Sequence, residues 1–399
     1  MPLEFRDFAP GDLGTLVRVL GSRALILIRI DKCGKSLPGP AFWASLRAVA
    51  ASCRLRELVL NEIQVPISGR DIESLGHIKT LETLCLTCSV PEALPLAGGR
   101  RLRARAGRSR SGLLRFPKSL LGLTRLRKLA LDRHENIASV PAGISSLRNL
   151  EVLCVSGSSR LTSLPAELAT LSRLTLPFVA GNRGLGEAPE ESAFPAELQK
   201  MGYLRSLNLS YCNLRAAPSF VGHLKSFEIL DLHENSSLGP ALGSLASFGE
   251  LPTLTLLSLG SCGLSSLPPA VLSSMPRLRS LLLANNSLTT LPEDLGRRLP
   301  ELEGIDLGEN AFAAVPRALG GATKLETILL DKNPQLQVEE PLDFLLNLLL
   351  LKVLWLTKPQ GSTWSLRSAE IVAEFCAKLK RSEPEAVVEV VEFPRVISA

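Results

Sequence analysis

The stretch "LRSLLLANNSLTTLP", Leu278 to Pro292, sets leucine at 278, 281, 283, 288 and 291, asparagine at 286 and proline at the end. Alternate residues of a strand share a face, so Leu281 and Leu283 turn to one side while Leu282 turns to the other. The spacing returns in "LEGIDLGENAFAAVP" from Leu302 and in "LTLLSLGSCGLSSLP" from Leu254. Self-similarity at 23 to 30 residues marks stacked layers, each too small to bury its apolar side without its neighbours.

The first apolar residue of each copy falls at 25, 55, 81, 126, 150, 174, 204, 227, 254, 278, 302, 325 and 351. Stacked in order, these layers bring their strands into a parallel sheet and leave room for one repeat domain, residues 25–358. Three residues past the last strand leucine the chain bends, and a backbone group buried there without a partner costs about 1–3 kcal/mol. Asparagine can both donate and accept at this bend, and it occupies 182, 235, 286, 310 and 333. Cys33, Cys212, Cys262, Ser89, Ser158 and His134 are the other small or polar fillers, Ile63 is an apolar exception, and Pro177 replaces a strand leucine. After Leu-Pro, stretches such as "AELATLSRL", Ala166 to Leu174, repeat leucine at the spacing of a short helix. The expected fold class is α/β: a horseshoe solenoid with a concave parallel β-sheet, short convex helices and helical terminal caps.

The pattern running from Leu278 to Leu302 resembles the leucine-rich repeat of the Pro-containing, LxxLP type. The resemblance is to Ras-suppressor-like proteins, plant intracellular Ras-group-related repeat proteins and Scribble-type scaffolds, and it covers about residues 25–358. It implies a concave face that binds another protein and a place in intracellular signal transduction, with a small GTPase or other signalling protein as partner.

Both ends of an array must be covered. "GDLGTLVRVLGS", Gly11 to Ser22, reads as a short helix within an N-terminal cap over residues 1–24, with Asp12 as its N-cap. Residues 359–399 read as a helix-strand cap: Ile371, Val372, Phe375, Cys376 and Leu379 recur at helical spacing after Ser365 or Ser368, Pro384 ends the helix, and Ala386 to Phe393 forms a last strand. The start lacks the basic head and apolar run of a signal or transit peptide. "FLLNLLLLKVLWL", Phe344 to Leu356, is too short to span a bilayer, which takes about 20 residues. Eight cysteines without paired spacing point to reduced thiols, and the expectation is a cytoplasmic monomer.

Catalytic constellations are thin. His77, His134, His223 and His233 are scattered; only His233, beside Asp231 and Glu234, suggests a His–carboxylate pair, and no nucleophile or oxyanion-binding loop accompanies it. Cys85-Leu-Thr-Cys88 is a lone CxxC without a second pair, so no metal site is assigned. No nucleotide-binding loop appears, and neither an enzyme nor a cofactor is expected.

Residues between the strand leucines face solvent on the concave side, and they define the expected partner surface: Val152, Leu176, Phe178, Asn208, Tyr211, Ile229, Asp231, His233, Leu256, Leu282, Asp306, Leu329 and Trp355. Phe178, Tyr211 and Trp355 are the expected anchors, since aromatic residues dominate interface energetics. The competing reading uses charge. Residues 1–135 hold 23 Lys/Arg against 12 Asp/Glu, and "GGRRLRARAGRSRSG", Gly98 to Gly112, contributes Arg100, Arg101, Arg103, Arg105, Arg108 and Arg110. This could bind nucleic acid or an anionic membrane; on duplex DNA, six phosphate contacts would give a log K versus log salt slope of about −5. Nucleic acid is the less favoured partner, because no aromatic residues interleave with the arginines for stacking. Counting back from Leu126 places a ruined strand at Leu102 to Arg110, with Leu113, Phe116 and Pro117 completing a repeat. Residues 96–112 are thus a basic irregular insertion or a degenerate repeat.

Overall fold

The computed structural model describes residues 2–5, 27–31, 33, 42, 43, 46, 54–63, 66–88, 112–239, 250–357, 365–382 and 387–391. The chain forms two compact units, Met1–Leu204 and Arg205–Ala399.

In the first unit seven strands run parallel in chain order: Pro2–Phe5, Leu27–Ile30, Glu57–Ile63, Thr83–Cys88, Lys128–Ala130, Val152–Cys154 and Leu176–Phe178. Pro2–Phe5 pairs with Leu27–Ile30, so the sheet begins one strand earlier than the repeat count suggests. The expected cap helix, Gly11 to Ser22, lies outside the described residues. Thr83–Cys88 pairs directly with Lys128–Ala130, Leu84 opposite Leu129, and no strand stands between them. The strand counted at Leu102 to Arg110 lies outside the described residues. Gly112–Leu113 forms a two-stranded ladder with Pro66–Ile67.

In the second unit eight strands follow the same rule: Ser206–Asn208, Ile229–Asp231, Leu256–Ser258, Ser280–Leu282, Gly304–Asp306, Thr327–Leu330, Val353–Thr357 and Val387–Val391. Each centres on one inward residue, and Leu230, Leu257, Leu281, Ile305, Ile328 and Leu354 are all fully buried. With Leu278, Leu283, Leu288, Leu295 and Leu299 they fill the core between sheet and helices, each contributing about 1.5–3 kcal/mol of apolar burial.

The bends explain the asparagines. Asn310 Nδ2 donates to Leu283 O of the preceding layer and Leu307 O of its own, at 2.9 and 3.1 Å, while its Oδ1 accepts from Leu288 N. Asn235 and Asn333 repeat the arrangement. The side chain is turned inward by a left-handed residue just before it: Glu234, Asn285, Glu309 and Lys332 all have φ between 54 and 59°. An L-residue pays about 1–2 kcal/mol for that conformation, and the bonds secured by the asparagine offset it.

On the opposite side the expected helices are present, mostly as five-residue 3₁₀ turns such as Ala142–Ser146, Ala166–Thr170 and Arg317–Gly321, with short α-helices at Pro269–Ser273 and Leu295–Arg298. The C-terminal helix spans Leu366–Ser382. Ser365 caps it by accepting from Ser368 N at 3.1 Å, and Val372, Phe375 and Leu379 are buried, while Ile371 and Cys376 are half-buried. Val387–Val391 then pairs parallel with Val353–Thr357.

Candidate binding surface

Strand register sets the solvent side of the second unit's sheet in rows. One row is Ser206, Ile229, Leu256, Ser280, Gly304, Thr327 and Val353; the next is Asn208, Asp231, Ser258, Leu282, Asp306, Leu329 and Trp355. Two residues beyond the second row, at the strand exits, stand Ser210, His233, Gly260, Ala284, Gly308 and Asp331. Every expected partner residue from Asn208 to Trp355 lies in these rows or, as Tyr211 does, one residue further on. Ile229 and Trp355 are 38% and 37% exposed and Tyr211 47%, whereas the inward residues beside them are sealed. Tyr211 meets His233 edge to face at 5.6 Å between ring centroids. A side chain at 260 would press on His233 Nδ1, so Gly260 leaves the imidazole its room.

The polar members of the surface have work within the fold. Asp231 Oδ1 accepts from His233 N, Asp306 Oδ1 from Gly308 N, and Asn208 Oδ1 from Ser210 N, at 2.9 to 3.0 Å. Each carboxylate or amide thereby closes its own strand-exit turn with one oxygen. Asp306 is pushed above the usual aspartate range by burial, despite the Gly308 hydrogen bond, and Asp331 adds to the effect. His233 Nε2 is 3.8 Å from Glu234 Oε1, too far for a hydrogen bond, so the pair is loose.

In the first unit Val152 and Leu176 share one row of the face, and Phe178 stands beside Cys154 in the next; all four are half-buried. Sequence reading missed the neighbouring hollow of about 430 Å³, whose floor of Val59, Cys85, Ala130 and Cys154 is walled by Glu57, Lys128 and Asp132. Alternation marks Cys85 as outward-facing, yet it is 7% exposed, packed against Val59, Ala130 and Cys154. Arg100, Arg101, Arg103, Arg105, Arg108 and Arg110 lie outside the described residues.

The structure also gives Cys88 a neighbour that the lone CxxC does not reveal. Cys88 Sγ lies 3.1 Å from His134 Nδ1, which accepts from Leu113 N at 3.2 Å, so Nε2 carries the proton and donates to Leu86 O at 2.8 Å. Burial drives the His134 pKa down to about 4 and the Cys88 thiol up to about 12, leaving both neutral at physiological pH. The thiol is thus held in its protonated form rather than as the thiolate that attacks as a nucleophile. Among the described residues no third His, Cys, Asp or Glu joins them.

A leucine-rich repeat family model matches residues 276–334, and a second matches residues 203–224. No curated protein sequence matches the chain. Among solved structures it is similar to a chain of the Drosophila Toll–Spatzle complex, with a TM-score of 0.57 and 14% identity over 98% of this chain and 50% of that one. It is also similar to a leucine-rich repeat protein of Leptospira interrogans, with a TM-score of 0.46 and 18% identity over 98% of this chain and all of that one. A plant peptide hormone receptor in complex with RGF2 gives a TM-score of 0.46 and 16% identity over 90% and 54% of the two chains. The protein is thus built of leucine-rich repeats stacked as an α/β solenoid. Among the described residues no helix is long and apolar enough to cross a membrane.

Proposed function

We propose that this protein is a non-catalytic interaction scaffold that binds a partner protein on the solvent side of its sheet. One observation carries the reading: Ile229, Leu256, Leu282, Leu329 and Trp355 present apolar surface in register on a hydrogen-bonded sheet, at positions where nothing in the core needs them. A rigid frame holding aliphatic and aromatic side chains in line is what the centre of an interface requires. A chain of similar fold belongs to the Toll–Spatzle complex, which accords with the same use of the fold.

The resemblance to Ras-suppressor-like and Scribble-type proteins extends the reading to the LxxLP subtype and a signalling role in the cytoplasm. Eight cysteines without paired spacing accord with a reducing compartment.

Affinity capture from the source cell tests the surface, comparing the wild type with a Tyr211→Ala/Ile229→Ala/Trp355→Ala variant of matched thermal stability. Proteins recovered by the wild type are expected to be lost from the variant. Equal recovery by both overturns the assignment.

A further inference from the structure

The charges on the second unit's sheet face are one-sided. Its three rows contain Asp231, Asp306 and Asp331 and no Lys or Arg. Asp306 and Asp331 converge: a side chain at Gly308 would sit 2.9 Å from Asp331 Oδ1 and 3.2 Å from Asp306 Oδ1. Lys332 pairs with Glu309 at 2.5 Å and also acts on both aspartates, yet burial and Asp331 still leave Asp306 raised. Two half-buried carboxylates, one on a strand and one at the exit of its neighbour, repel each other, and an arriving cation relieves that repulsion. Leu282 and Leu329 flank Asp306 in the same row, and Trp355 ends it.

We propose that this face takes a polypeptide segment in which a Lys or Arg side chain is flanked by apolar ones, the cation seated between Asp306 and Asp331 and the apolar groups on Leu282, Leu329 and Trp355. The proposal rests on the reading of the face as a protein-binding surface and names the chemistry of the partner. Charge complementarity selects the occupant. Residues 205–399 hold 17 Lys/Arg against 21 Asp/Glu, while the whole chain is +6, so a basic segment is drawn to this face against the charge of the molecule as a whole.

Fluorescence anisotropy with two synthetic peptides of equal length, one alternating Leu with Arg and the other Leu with Glu, tests it on the full chain. The Leu/Arg peptide is expected to bind and the Leu/Glu peptide not to. Asp306→Asn/Asp331→Asn keeps the acceptor for Gly308 N–H and is expected to weaken binding by about tenfold or more, the loss of a charge-assisted contact. Glu339→Gln/Glu340→Gln removes two negative charges at exposed positions off this face and is expected to change nothing. Failure of the Leu/Arg peptide to bind, equal binding of both peptides, an unchanged affinity in the aspartate variant, or an equal loss in the glutamate variant overturns the proposal. If capture still depends on Tyr211, Ile229 and Trp355 in that case, the surface stands and only the partner chemistry falls; if capture fails too, the surface itself is wrong.

Discussion

At position 134 an imidazole does what an amide does at 235, 310 and 333: it spans two layers and satisfies backbone groups of both. The substitution makes one bend titratable. The His134 pKa falls from 6.5 to about 4 on folding because burial disfavours the charged ring. The unfolded chain therefore binds the proton more readily, and the stability from this site is complete above pH 6.5 and lost as pH falls toward 4. At 1.36 kcal/mol per unit the loss reaches about 3 kcal/mol. His134→Asn is expected to fold and to flatten the urea midpoint between pH 7 and 4; an equally steep acid loss in the variant would falsify this. The asparagines were legible because a bend three residues after a strand needs a side chain that both donates and accepts. The bonding around His134 was not legible, since its partners Leu86, Cys88 and Leu113 are 48, 46 and 21 residues away in sequence.

Strands were the most legible elements. Each rests on a period of two, and Leu281, Ile305 and Ile328 stand opposite one another across neighbouring strands as the repeat count requires. Helix type was less legible, because five residues between Pro316 and Ala322 can close as an α or a 3₁₀ turn, and packing against neighbouring layers decides. Close layer spacing shows at the helix Leu295–Arg298, where a side chain added at Gly296 would collide with the backbone of Gly321 and Ala322. Carbonyl and amide atoms of a neighbouring layer cannot rotate aside. Gly296→Ala is expected to lower stability by about 1–3 kcal/mol, the cost of overpacking, despite alanine's better helix propensity. Chemical unfolding checks it, and an alanine variant as stable as the wild type would show that the layers can separate locally. The strand-entry edge adds cross-layer ion pairs, Arg127 with Glu151 and Arg205 with Glu228, at 2.9 and 2.8 Å. Both are exposed, so solvent screens them and each adds little to stability.

For the molecule as a whole, the sequence revealed the architecture through its period and the solvent-facing rows of the sheet through alternation, since every residue that the period does not bury has to face solvent. It did not reveal depth: Cys85 and Ile229 are both outward positions, yet one is 7% exposed, packed among Val59, Ala130 and Cys154, and the other 38%. Nor did it reveal which strands are neighbours on either side of the arginine-rich stretch, because counting residues cannot distinguish a lost strand from an added loop. Thr83–Cys88 and Lys128–Ala130 hydrogen-bond to each other, and Gly112, with φ +76°, packs so tightly on Cys88 and His134 that no side chain would fit. The two ends of residues 89–111 therefore meet inside one repeat. For an engineer this is a socket: foreign sequence can be plugged in without disturbing the register on either side, since loop entropy changes by only about 0.6 kcal/mol for each doubling of length. Replacing residues 90–110 with a short Gly/Ser linker is expected to leave the thermal midpoint within a few degrees, as about 1 kcal/mol shifts it little in a chain of this size. A peptide tag or fluorescent domain inserted there is expected to leave the layered core to fold as before.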